Sequence, residues 1–174
     1  MKSLFPSFCL LLIAGCLLPV ASHAQDTCGL KKGQDPFTHV TKLSTGFKSF
    51  DGGGVTVSIS ADASPTEIDF FIWVKNDSKC FDQESEALVV FEGERSKSTF
   101  RNSGSMNCEG AFHFIFKNLA TTPSWLKRMS TKRINSIKLI NGKIETLITF
   151  TEEQKVLFQK MANCIATEGK SLRQ

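Results

Sequence analysis

Residues 68–74 carry apolar side chains on both parities of an extended chain, with Ile68, Phe70, Ile72 and Val74 on one side and Phe71 and Trp73 on the other. Successive side chains of a strand point to opposite faces, so this strand asks for cover on both and belongs at the centre of a layered structure. Residues 87–91 and 112–116 share the doubled pattern and are expected to be its central companions. Simpler strands surround them. Val55, Val57 and Ile59 alternate with Thr56, Ser58 and Ser60, the period of a half-buried strand, entered through the flexible run Gly52-Gly53-Gly54. Glu92-Gly93-Glu94 is a turn into a strand over 96–101. Asn141-Gly142, between runs at 134–140 and 143–150, is the pair that a type I′ hairpin turn favours.

The last element is a helix. Thr151 stands at its N-cap, Gln154 completes a capping box, and Glu152 and Glu153 suit the positive end of the helix dipole. Leu157, Phe158, Met161, Cys164 and Ile165 then form one apolar stripe. About seven strands followed by one amphipathic helix packed on them describe an α+β fold built mainly on antiparallel β-sheet. A two-sheet β-sandwich plus helix is the alternative, if other strands cover the doubly apolar ones.

The N-terminus supplies a different constraint. Lys2, an apolar stretch from Leu4 to Val20 and the small residues Ser22 and Ala24 compose a secretory signal peptide over residues 1–24, cleaved between Ala24 and Gln25. Leu12-Ile13-Ala14-Gly15-Cys16 resembles a bacterial lipobox, which makes acylation of Cys16 the alternative. Cleavage after Ala24 leaves a polar arm at 25–45 and a single β-rich domain at 46–174, a size at which one core suffices.

Export changes how the cysteines are read. Cys9 and Cys16 lie within the signal, which leaves Cys28, Cys80, Cys108 and Cys164. An even number in an oxidising compartment points to disulfides, and no two have the CxxC spacing of a zinc or redox site. Cys80 and Cys108 sit in polar segments beside strands, while a bond from Cys28 to Cys164 would tie the arm to the last helix; these are the expected pairs. The competing possibility is a free Cys28 with Cys164 as a small core residue.

Composition narrows the partners. Lys2 is the one charged residue of the signal, so the formal charge of +4 falls to +3, too small for a nucleic-acid partner without a clustered patch. Segment 121–133 gathers Trp125, Lys127, Arg128, Lys132 and Arg133, a mixture that suits an anionic partner or lipid headgroups, or else a connecting helix with its cations in water. Fifteen Phe and no Tyr favour aromatics that fill a core over a wet recognition face.

Reactive chemistry finds little footing. The two histidines beyond the signal, His39 and His113, have no nucleophile elbow or papain-like cysteine near them, and His113 shares a strand face with Ala111 and Ile115. Asp69 is the one acid on the most apolar strand, expected at its entry in contact with water. Asp77, Asp82, Glu84 and Glu86 lie in a loop whose spacing is not that of an EF-hand. Gly52-Gly53-Gly54 precedes a strand and not a helix, so it lacks a phosphate cradle. No catalytic residue, metal or cofactor is therefore expected. The chain reads as a secreted or periplasmic non-catalytic domain that binds a protein or small ligand through loops or an uncovered sheet face. A hydrolase using paired carboxylates is the alternative, and membrane contact is expected only through a lipidated Cys16.

Overall fold

The structure, a computed structural model, describes residues 28–75 and 79–173. The expected signal peptide, its expected Ala24–Gln25 cleavage site and Cys16 lie outside the described residues, as does Asp77. The fold is α+β, with, among the described residues, ten antiparallel strands in two sheets, a short helix α1 at Ser124–Thr131 and a long helix α2 at Glu152–Glu168. The first sheet contains β1 (Lys31–Gln34), β2 (Thr41–Ser44), β3 (Lys48–Gly52), β4 (Val55–Ala63), β5 (Glu67–Val74) and β8 (Ala111–Lys117). The second runs β10 (Ile144–Thr149), β9 (Ile134–Asn141), β6 (Glu86–Phe91), β7 (Lys97–Arg101). No helix among the described residues is long and apolar enough to cross a membrane.

The three strands beyond the expected seven are β1, β2 and β3, and the first two fall in the segment read as an arm. They carry almost no periodicity: β1 is exposed along its whole length. Local hydrogen bonding specifies them instead. Asp35 closes the β1–β2 hairpin, its carboxylate accepting from the amides of Phe37 and Thr38 and from Lys42 Nζ at 2.7 Å. The Lys42 ammonium, with those amides, holds the Asp35 carboxyl far below the usual range. Strands β2 and β3 share one edge of β4, Leu43 opposite Ala63 and Lys48 opposite Ile59. At the break between them, Thr45 donates its amide to the Ala61 carbonyl and its hydroxyl accepts from the Ala61 amide, so a side chain continues the ladder.

The β9–β10 turn departs from expectation in a small way. Asn141 pairs with Ile144, so the two loop residues are Gly142 and Lys143, and only Gly142 has a positive φ, 57°. Glycine first and an ordinary residue second is the pattern of a type II′ turn.

One core lies between the sheets and α2. Phe50 of β3 meets Phe150 and Phe158, Phe70 of β5 stacks on Phe158 at 5.8 Å, and Phe100 of β7 packs on Phe114 of β8 at 4.9 Å. A Cβ at Gly52 would collide with the Thr149 carbonyl oxygen, so the end of β3 lies directly on β10. Helix α2 begins at the expected capping box and buries Phe158, Met161, Cys164 and Ile165, while Gln154 Nε2 reaches the Asp51 carbonyl at 3.1 Å. Cys28 is bonded to Cys164, which fastens the start of the described chain to α2, and Cys80 to Cys108, which joins the two loops bordering the first sheet.

Candidate functional site

The six-stranded sheet has two unlike faces. Ile59, Ala61, Phe70, Ile72, Phe112 and Phe114 turn inward and are at most 2 % exposed. The intervening residues turn outward. Register sets them in rows: Ser58, Trp73 and Ala111; Ser60, Phe71 and His113; Asp62, Asp69 and Ile115.

Sequence periodicity asked for cover on both sides of β5, and the structure provides a full layer on only one. Trp73 remains 43 % exposed and Phe47, which leans over from the β2–β3 connection, 57 %. What shelters the outward aromatics is local. Phe47 meets Phe71 edge-on at 5.6 Å, Phe71 lies 4.7 Å from the His113 ring, and Trp73 Nε1 donates to the Glu109 carbonyl at 2.8 Å. These contacts replace a packed layer and leave the ring faces partly open.

Polar groups occupy the same surface. Ser60 Oγ donates to Asp62 Oδ2 at 2.9 Å, and His113 Nδ1 lies 2.8 Å from Asp69 Oδ2, the carboxylate accepting from the ring N–H. Asp69 is not the water-facing entry residue that its position suggested. Its side chain is 24 % exposed, it stands directly opposite Asp62, and its Oδ1 is buried without a hydrogen-bond partner. Ser60 and Lys42 ease the Asp62 charge and His113 that of Asp69, but facing carboxylates and an unpartnered acceptor still work against folding, which marks this face as a candidate site. His113 is held from behind: its amide donates to Asn102 Oδ1 at 2.9 Å and its carbonyl accepts from Ser103.

The remaining residues singled out by sequence are dispersed. Trp125, Lys127 and Arg128 lie on α1, whose Leu126 and Met129 are buried. Arg128 sits over the rings of Phe91 and Trp125, donates to Ser98 Oγ and pairs with Glu94, which also takes Lys132. Arg133 bridges Glu92 and Glu152. Acids of neighbouring elements thus neutralise much of that basic run. In the acidic loop, Asp82 Oδ1 accepts from Ser85 Oγ and the Glu84 amide, whereas Glu86 is not in the loop but opens β6, paired there with Arg101 of β7. No cluster of three or more metal-binding side chains exists among the described residues. His39 is elsewhere, at a positive φ of 54° in the β1–β2 hairpin.

Ser60, Asp62 and Phe47 are the members of the outward face that sequence reasoning did not single out. The signal lies in the parity of β4, where Ser58, Ser60 and Asp62 form an unbroken polar face beside an aromatic strand. Asp69 and His113 are each about a quarter exposed on this face. No family model, curated protein or solved structure matches the chain.

Proposed function

We propose that this is an exported binding domain whose outward sheet face takes a cationic group, such as a lysine or arginine side chain of a partner protein. The observation that carries this reading is the pairing of Asp62 with Asp69 on the sheet face that also carries the rings of Phe47, Phe71 and Trp73. Two facing carboxylates repel each other, and a cation between them removes that repulsion. Exposed aromatic faces add to the attraction, because the ring quadrupole is worth about 0.5–2 kcal/mol to a cation within roughly 6 Å.

Calorimetric titration with an Arg-Lys-Arg-Lys tetrapeptide tests it. Binding should weaken about tenfold in Asp62→Asn and in Trp73→Ala, and a Glu-Asp-Glu-Asp peptide should not bind. Equal binding of both peptides, or no effect of the substitutions, contradicts the reading.

The alternative reading, hydrolysis of a glycosidic bond between two acids, would draw on the same carboxylate pair. Turnover of nitrophenyl glycosides that disappears in Asp69→Asn would replace binding with catalysis. Export rests on the signal-like residues 1–24 and fits the two disulfides, which persist in oxidising compartments. A purified chain beginning at Gln25 supports a freely diffusing domain, and an acylated Cys16 would make it a tethered envelope protein.

A further inference from the structure

At one end of the first sheet a groove of about 910 Å³ opens between four segments: the β1–β2 hairpin, the β4–β5 turn, residues 118–120 after β8, and the 3-10 turn Gly169–Leu172 with the residue after it. Among the described residues its lining contains Lys32, His39 and Arg173 and no acidic side chain. No carboxylate among the described residues pairs with Lys32 or with Arg173. Arg173 Nε donates to the Lys170 carbonyl at 3.2 Å, which leaves the terminal nitrogens of the guanidinium for another acceptor. The other wall is aliphatic. Val40, Leu119 and Leu172 line it, and Leu119 is half exposed.

The groove is preformed. Asn118, 6 % exposed, donates through Nδ2 to the carbonyls of Ser64 and Gly169, both at 2.8 Å, and its amide donates to the Thr66 carbonyl. One side chain thus locks the β4–β5 turn, the end of β8 and the C-terminal turn together. The hairpin wall is held by the Asp35–Lys42 pair, which engages the one acid of that hairpin. A cavity of this volume accommodates a small organic molecule.

We propose that this groove is a binding site for an organic carboxylate with an aliphatic body. The fork of Arg173 takes both oxygens of a carboxylate, Lys32 supplies a second charge, and Val40, Leu119 and Leu172 cover the hydrocarbon. A bare anion would leave the aliphatic wall unused, and an amphiphilic cation would meet Lys32 and Arg173 with repulsion. The site shares no lining residue with the acidic outward face and does not rest on the function proposed for it.

Amide chemical-shift mapping with three probes, sodium octanoate, octylamine and inorganic phosphate, tests this. Octanoate should move the amides of residues 32, 39–41, 118–120 and 171–173 to saturation, with the other two probes binding at least about tenfold more weakly. Arg173→Gln, which removes no described contact within the domain beyond the bond to Lys170, should weaken octanoate by about tenfold. Leu119→Asp, at an exposed position, should do the same by repulsion. Octylamine binding as tightly as octanoate would reduce the groove to an apolar patch. Phosphate binding as tightly would make it an unselective anion site, and affinity unchanged in both variants would overturn the assignment.

Discussion

The inward and outward faces of the six-stranded sheet are made by the same strands, alternating residue by residue, yet they obey different rules. Inward, Phe70, Ile72, Phe112 and Phe114 are close-packed hydrocarbon against α2 and the second sheet. Outward, the next residues along, Asp69, Phe71, Trp73 and His113, are half-covered, with facing carboxylates and a buried oxygen lacking a partner. A strand face selected only for stability would avoid that combination. Departures from local consistency of this kind are where function is expected.

Adjacent substitutions on β5 should break the comparison most visibly. Phe70→Ala empties a fully buried site and should cost about 3–5 kcal/mol in denaturant unfolding. Phe71→Ala, one residue on, loses two ring contacts on an open face and should cost about 1–2 kcal/mol. Similar losses for the two would mean that both faces are core. Next in size is the clamp on α2, the helix that covers the inward face. Cys28→Ser with Cys164→Ser should cost about 2–5 kcal/mol of stability, measured in the same way, and leave peptide binding intact.

Asp69→Asn should be nearly silent. It keeps an acceptor for His113 and relieves repulsion from Asp62, so stability should change by less than about 1 kcal/mol or rise. A loss as large as that of Phe70→Ala would make Asp69 a structural residue. The smallest effect concerns Lys155, buried on α2 and bonded to Glu152 at 2.5 Å. That bond lowers the Glu152 carboxyl from its usual range and raises the Lys155 ammonium. A lowered acid stabilises above its unfolded pKa of about 4.3 and loses that contribution as pH falls through the folded value. A raised base contributes fully below about 10.4 and loses its contribution as pH rises through its folded value. Melting temperatures of wild type and Lys155→Met should therefore converge as pH drops below about 4. A constant gap down to pH 2 would show that the pair carries no such linkage.

Legibility in the sequence follows the same division. The inward face announced itself through period-two runs, and α2 through its capping box and stripe, because burial and capping act on neighbouring residues. Strands β1 and β2 did not, since their pairing depends on Asp35 and Lys42 and on a Thr45 hydroxyl bonded to a residue sixteen positions away. The outward site was half legible. Asp69 and His113 stood out singly, but the contact between them spans 44 residues and the meeting of Asp69 with Asp62 depends on strand register. Covering the second parity of residues 68–74 was also over-expected, because single contacts from Phe47 and Glu109 shelter an aromatic ring without a third layer.

The claim that the outward face is the binding surface is tested most directly by mapping amide shifts on titration with the Arg-Lys-Arg-Lys peptide. Shifts concentrated at residues 58–62, 69–73 and 111–115, and absent in Asp62→Asn/Asp69→Asn, are the predicted result. Shifts confined to other surfaces, or unchanged in that double variant, would contradict it.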